Sequence, residues 1–448
     1  MSIDALECGD SDRSSPNSSS VDYISDMTNA PTQRTVIFAG GGTGGHLFPG
    51  ISVARESQTR DPEMRVLFVG SQKPIERDIV GGAGFEHVAM PCVSPSFAPT
   101  RIVSSLLNNW RAYRQACVVI ARERPSVVVG LGGFASVPPV LAAWRAGVPI
   151  VLLEQNVVPG KATRWLGRLA KVVCLPWEQA TNGLPRGVKT VVTGNPIRAE
   201  IAKLADAACG RSSLPLSLRE GRDEDAMNDR RRHLDNAPDD GVNRDIVPHP
   251  AFGHLLSEGE GTSSRRSTHS TLLILGGSQG AASLNALVLD AFANRRAELT
   301  GWRIVHQTGA ADLDAIRQRY AAMSLDADVQ PFIADMSTAY RCATLVISRA
   351  GATTLAELAC AGVPAILVPL VTSAHDHQRL NARLFSDHSA ALVSESPASL
   401  ADSLDRLLCD PLLRDQLRQN LRVLAQPQAA CAVATILEHV VSTSRGFK

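Results

Sequence analysis

Two glycine-rich turns each follow a short apolar run directly: Ala39-Gly-Gly-Gly-Thr-Gly-Gly-His46 and Leu275-Gly-Gly-Ser-Gln-Gly-Ala281. Glycines let bare backbone N–H groups and a helix N-terminus approach an anion, most often a phosphate. A tight strand-to-helix turn without a ligand is the alternative for either turn taken singly. Gly40, Gly42 and Gly45 satisfy the GxGxxG spacing of dinucleotide-binding turns. That fingerprint also requires a carboxylate about 20 residues on, at the end of the second strand. The segment there ends Val69-Gly70-Ser71, which speaks against nicotinamide or flavin. His46 closes the first turn, where a side chain titrating near neutrality can accept a proton from a sugar hydroxyl, or can merely cap a helix. Ser278 offers the second turn a hydroxyl for a diphosphate or for helix capping.

The elements that must position these residues read as two similar halves. Short apolar runs alternate with longer helix-like segments, the pattern of a parallel sheet covered by helices. Strands are expected near 35–39, 65–69, 126–130, 149–153, 171–174 and 189–193, and again near 271–275, 302–306, 328–333, 344–348, 364–368 and 390–393. The expected fold is α/β, two Rossmann-like doubly wound domains facing across a cleft. Ligands in such sheets lie beyond the carboxyl ends of the strands, which puts both glycine turns at the cleft.

Composition trims 448 residues to two domains. Residues 1–33 hold eight Ser, six acidic and one basic residue, and read as a disordered extension; 205–270 hold twelve acidic and nine basic residues and read as a disordered polar insertion. The remaining domains run over 34–204 and 271–425, with a helix over 426–448 returning to the first. Net charge is +1 for the chain, but 34–204 carries 20 basic and 10 acidic residues against 15 and 16 in 271–448. One half is built to sit near anions. Nine scattered Cys without a CxxC pair argue for a reducing compartment. No basic patch followed by an apolar stretch marks a secretory signal at the N-terminus. The uncharged run Pro125 to Trp144 is broken by Gly130, Gly132, Gly133, Pro138 and Pro139, so strand, turn and helix start is a better reading than one membrane span. Acidic pairs at Asp312/Asp314 and Asp326/Asp328 read as surface residues, and no metal site is expected. Ile102, Leu106, Trp110, Tyr113 and Cys117 form a stripe beside Arg101, Arg111 and Arg114. It is either a core-packing face or a basic amphipathic helix for a membrane surface.

Six ordered motifs carry a resemblance: Gly41-Gly-Thr-Gly-Gly-His46, Glu154-Gln155-Asn156, Thr193-Gly-Asn-Pro-Ile-Arg198, Gly276-Gly-Ser-Gln-Gly-Ala281, Phe332-Ile-Ala-Asp-Met336 and Ser348-Arg-Ala-Gly-Ala-Thr-Thr-Leu-Ala-Glu357. Together they resemble the MurG-type peptidoglycan N-acetylglucosaminyltransferases, from about residue 35 to the C-terminus without the insertion. The resemblance implies a glycosyltransferase B fold. The implied reaction moves N-acetylglucosamine from UDP-N-acetylglucosamine to the muramyl 4-hydroxyl of undecaprenyl-linked lipid I, inverting, to give lipid II. It further implies a peripheral place on the cytoplasmic face of the bacterial inner membrane, cell-wall and division proteins as partners, and no cofactor or strict metal requirement.

By position, the resemblance gives Ile333 a backbone role toward uracil, Glu357 the ribose hydroxyls, Ala352, Thr353, Thr354 and Leu355 the diphosphate, Arg198 and Ser278 the same phosphates, and Gln378 the donor sugar. Thr43, Gly44, Gly45 and Asn156 would line the junction of donor and acceptor. Gly132, Gly133 and Ser136 form a second anion nest for the acceptor diphosphate, or a plain turn. The family often has His before Glu-Gln-Asn and Tyr in the second glycine turn; here these are Leu153 and Phe134, which cannot transfer protons. That leaves His46 and Glu154 as base candidates. Two other readings stay open: a related transferase with a different acceptor, and a UDP-sugar-binding protein without turnover.

Overall fold

The computed structural model describes residues 34–42, 44–94, 99–209, 270–276, 282–293, 295–370 and 376–444. The expectations for 1–33, Thr43, Ser278 and most of 205–270 lie outside these residues. The first sheet is parallel throughout, in the order β3-β2-β1-β4-β5-β6-β7. Its strands are β1 (Thr35–Ala39), β2 (Arg65–Ser71), β3 (Glu86–Met90), β4 (Val127–Gly130), β5 (Ile150–Leu153), β6 (Val172–Leu175) and β7 (Thr190–Val192). The second has the order β10-β9-β8-β11-β12-β13, with β8 (Ser270–Leu275), β9 (Trp302–Gln307), β10 (Ala327–Gln330), β11 (Leu345–Ser348), β12 (Ala365–Leu367) and β13 (Leu392–Val393).

Central strands such as β1 and β4 are buried along their whole length. Helices cover both faces, so these strands read as unbroken apolar runs instead of alternating ones. Successive β1 residues nevertheless point to opposite faces. Val36 and Phe38 join one apolar cluster, Ile37 and Ala39 the other. Each fully buried aliphatic side chain contributes roughly 1.5–3 kcal/mol. Two departures from the expected strands have local causes. β3 was not anticipated, because an edge strand reading Glu-His-Val-Ala-Met is only half apolar. The strand expected at 328–333 stops at Gln330, since Pro331 has no N–H for the ladder.

The domain boundary also moves. Ile197 and Ile201 are buried in the core of the second domain, and the helix Ala199–Cys209 runs five residues into the segment expected to be polar insertion. Its Ala-rich sequence is a good helix former, which explains the extension. The chain returns in the helix Ala429–Ser444, which buries Val433, Leu437, Val440 and Val441 in the first domain. There Arg60, at the end of α1 (Gly44–Arg60), donates to Thr435 Oγ1 at 2.9 Å and to the Cys431 carbonyl at 3.1 Å. Among the described residues no helix is long and apolar enough to cross a membrane.

Candidate active site

Strand order reverses between β1 and β4 in one sheet and between β8 and β11 in the other. Such switch points open a crevice beyond the strand ends. Adjacency of β1, β4 and β5 brings three loops together in the first domain: 40–42, 131–136 and 154–160. His46 stands half-buried in the first turn of α1. Its ring lies over the turn at Gly132 and Gly133: a Cβ on Gly132 would stand 3.3 Å from His46 Cδ2, and one on Gly133 would stand 3.9 Å from Cε1. Both glycines are left-handed, with φ of 86° and 70°, a backbone conformation that favours glycine. Burial pushes the His46 pKa down and outweighs the pull of Glu154 and Glu76 upward; His377, from the second domain, acts in the same direction as burial. A neutral imidazole at physiological pH is the form that can accept a proton.

Other first-domain residues are committed to building the site. The Ser136 hydroxyl, expected to face a diphosphate, is buried and donates to the Gly133 carbonyl at 2.9 Å, closing its own turn. Glu154, expected as a second base, is 4% exposed, and both of its oxygens accept hydrogen bonds from its own loop. Oε1 accepts the backbone N–H groups of Gln155 and Asn156 (both 3.0 Å) and Asn156 Nδ2 (3.1 Å), while Oε2 accepts the Gly160 N–H (3.0 Å). A carboxylate so held shapes the loop. Gln155 ties that loop to the glycine turn, donating to the Leu131 carbonyl at 3.2 Å.

The second domain presents the helix Ala352–Ala361 directly after β11 and Gly351. The amides of Ala352, Thr353 and Thr354 lie in the first turn, where no intrahelical acceptor exists. The Leu355 amide, assigned with them, instead donates to the Gly351 carbonyl at 3.0 Å. The Thr353 hydroxyl crosses to the first domain and donates to the Gly45 carbonyl at 3.0 Å, so the N-terminal ends of two helices meet at the cleft. Gly44 is buried and Gly45 exposed at that junction.

Arg198 and Glu357, expected to meet phosphate and ribose separately, form one pair. Arg198 Nε and Nη2 donate to Oε1 at 2.9 and 2.8 Å, and Nη2 also reaches Oε2 at 3.0 Å. The Tyr340 hydroxyl donates to Oε2 at 3.2 Å. Burial raises the Glu357 pKa, opposed by Arg198 and Tyr340. A carboxylate 3% exposed needs such partners, because an unpaired buried charge is costly. The Arg198 guanidinium also lies 5.1 Å from the Phe48 ring. The Ile333 N–H, expected to serve uracil, faces Gln307 Oε1 at 3.4 Å, and its side chain is in the core. Phe332 beside it is half exposed and, with Phe48, Ile75, Ile79 and residues 309–311, lines an apolar pocket of about 550 Å³ spanning the two domains. Gln378 Oε1 accepts the Leu370 N–H at 2.9 Å.

One bridging residue was not anticipated. Asn381, 2% exposed, donates to Asn156 Oδ1 (3.2 Å) and to the Ala350 carbonyl (3.3 Å), and accepts the Val157 N–H (3.0 Å). It thereby fixes the Glu154 loop against the Ala352 helix. A lone Asn gives little sequence signal; its place one helical turn after Gln378 was the available hint. Arg349 stood inside a quoted motif without a role; it donates to the Val368 carbonyl at 3.1 Å and holds the β12 end beside the helix start. Asp312 Oδ2 accepts from Asn285 Nδ2 at 2.8 Å, and Asp314 and Asp328 pair with Arg317 and Arg303.

Known proteins match this arrangement along most of the chain. The model of the glycosyltransferase family 28 N-terminal domain matches residues 36–175, and that of the family 28 C-terminal domain matches 271–428. The UDP-N-acetylglucosamine–N-acetylmuramyl-(pentapeptide) pyrophosphoryl-undecaprenol N-acetylglucosamine transferase of Nitratidesulfovibrio vulgaris is 36% identical over 91% of this chain and 98% of its own. The chain is a family 28 glycosyltransferase of the MurG type. The enzyme of the same description from Myxococcus xanthus is 34% identical to this transferase over 90% of its length and 91% of the relative's. A crystal structure of Acinetobacter baumannii MurG superposes with a TM-score of 0.61 at 26% identity, covering 91% of this chain and 99% of that one. UDP-GlcNAc 2-epimerase from Neisseria meningitidis gives 0.57 at 12% identity, over 90% and 100%, a likeness of fold alone.

Proposed function

We propose that this family 28 transferase moves N-acetylglucosamine from UDP-N-acetylglucosamine to the 4-hydroxyl of the muramyl sugar in undecaprenyl-linked lipid I, with inversion, forming lipid II. The observation that carries this reading is His46 placed over the turn at Gly132, one residue from the Gly45 carbonyl that Thr353 of the Ala352 helix reaches, in a chain with these relatives. In a single displacement the acceptor hydroxyl gives its proton to the His46 imidazole. Its oxygen then bonds to the anomeric carbon while the bond from that carbon to the UDP oxygen breaks. The leaving diphosphate gains negative charge, which the amides of Ala352, Thr353 and Thr354 can meet with the roughly half positive charge of a helix N-terminus. The apolar pocket beside Phe332 suits the flat face of uracil. The turn at Gly132 and Gly133 is assigned to the acceptor diphosphate, since glycine turns suit anions.

The reading extends to a membrane surface. In α3 (Pro99–Glu123), Ala112, Ala116, Val119 and Ile120 pack on the sheet, whereas Val103, Leu106 and Trp110 are 63%, 66% and 55% exposed. The stripe that periodicity left between two meanings is thus divided. Tyr113 and Cys117 pack against the core, while its N-terminal turns lie outside, with Arg114 over Trp110 at 5.2 Å. Apolar side chains beside arginines suit an anionic lipid interface, where each cation adds about 1 kcal/mol of attraction. On this reading the transferase works peripherally at the cytoplasmic face of the bacterial inner membrane.

The test is product analysis with UDP-N-acetylglucosamine and a soluble lipid I analogue. A product heavier by one N-acetylhexosamine, β-linked at the 4-position and formed equally well in EDTA, is expected. An α linkage or a strict metal requirement overturns the mechanism.

A further inference from the structure

The first glycine turn already holds an anion. Glu76, in α2 (Pro74–Gly82), is completely buried. Its Oε1 accepts the Gly42 N–H at 2.6 Å and the Ser71 hydroxyl, and its Oε2 accepts the Ser71 N–H at 2.7 Å. His87 Nε2, from β3, stands 3.7 Å from Oε2, and Lys73 Nζ donates to the Gly42 carbonyl at 3.2 Å. A Cβ on Gly41 or Gly70 would overlap this carboxylate. Those two glycines therefore make room for Glu76, and the Gly42 amide, a candidate phosphate donor by its spacing, is spent inside the protein. Burial pushes the Glu76 pKa up, yet the neighbouring His87 and the hydrogen bonds from Ser71 and Gly42 outweigh it and hold the group below the usual carboxylate range. It is an anion in the folded protein.

We propose that Glu76 is a positioning residue for the transfer: by taking up the Gly42 amide from behind, it sets the turn that delivers His46, four residues on, over Gly132 in the cleft. The proposal rests on the function given above. A turn set by one carboxylate places the base, while the amides that would meet the donor diphosphate belong to the Ala352 helix of the other domain, so kcat should respond more than the donor KM. Among the described residues, three charged or titratable groups act on His46: Glu154 from the loop after β5, His377 from the second domain, and Glu76 from α2. Glu76 draws the His46 pKa upward, so removing its charge lowers that pKa and moves the acid limb of the rate profile to lower pH.

Glu76→Gln keeps the size, loses the charge and must turn an amide NH2 toward a backbone donor. With wild type, Glu76→Gln and Glu76→Asp, initial rates on UDP-N-acetylglucosamine and a soluble lipid I analogue are measured against pH. The His46 ring is titrated by NMR in the full chain. For Glu76→Gln the expected result is kcat lower by about 10- to 100-fold, donor KM within about twofold of wild type, and a lower His46 pKa. Glu76→Asp, which keeps the charge but withdraws it by one methylene, should recover most of the His46 pKa and little of kcat. Wild-type kcat, or an unchanged His46 pKa, in folded Glu76→Gln overturns the proposal. Should that variant not fold, wild-type kcat in Glu76→Asp overturns it and a lowered kcat with unchanged donor KM supports it. A wild-type protein inactive on the analogue would refute the assigned function instead, and the NMR titration would still decide whether Glu76 acts on His46.

Discussion

Burial lowers the pKa of His46 while two carboxylates pull it back, so the imidazole remains neutral below its ordinary midpoint of about 6.5 and is ready to accept a proton. The rate should therefore hold down to that pH and fall only as the medium becomes more acidic than the depressed pKa. His46→Ala, assayed by turnover of a lipid I analogue, should lose two to four orders of magnitude in kcat, the usual worth of a general base. Near-normal turnover would remove His46 from the mechanism. His46 was legible from sequence because it ends a glycine turn that follows a strand. The work of Glu154 was not: a carboxylate beside a cleft suggests a base, and only the folded loop shows its oxygens taken by Gln155, Asn156 and Gly160. Glu357 and Arg198 were legible as important residues but not as a pair, since 159 positions separate them and only the domain junction joins them.

At the scale of elements, apolar runs marked the strands well wherever helices cover both faces, and failed at the half-apolar edge strand β3. β9 carries a polar network of its own that no run could show. His306 is fully buried in it, with Nδ1 2.9 Å from the Tyr320 hydroxyl and Nε2 3.1 Å from Asn285 Oδ1. Asn285 continues to the Thr308 carbonyl at 3.1 Å, beside the loop that lines the interdomain pocket. Burial pushes the His306 pKa down to about 4. The unfolded chain takes up this proton below about pH 6.5 and the folded one only near 4, so stability is present above 6.5 and lost as pH falls between those values. The expected loss approaches roughly 3 kcal/mol, from 1.36 kcal/mol per pKa unit. Urea unfolding at pH 7 and pH 4.5 measures it, and a His306→Gln variant should show a weaker dependence over the same range.

Among the described residues the molecule is two sheets joined by two chain crossings, with the cleft between them. Asn381 and Thr353 clamp the halves across the cleft, contacts that no local pattern in either half contains. The first half also carries the excess positive charge, 20 basic against 10 acidic residues, and the exposed apolar start of α3. Both suit an acceptor whose diphosphate and lipid lie at a membrane. Replacing Leu106 and Trp110 by Ser should abolish flotation with anionic liposomes and leave turnover of a soluble acceptor near wild type; unchanged flotation of the folded variant would place the membrane contact elsewhere. The central claim is transfer to lipid I. Its most direct test is UDP release from UDP-N-acetylglucosamine with and without a lipid I analogue. Release that depends on the analogue is the predicted result, and release that proceeds equally without it, or not at all with it, contradicts the account.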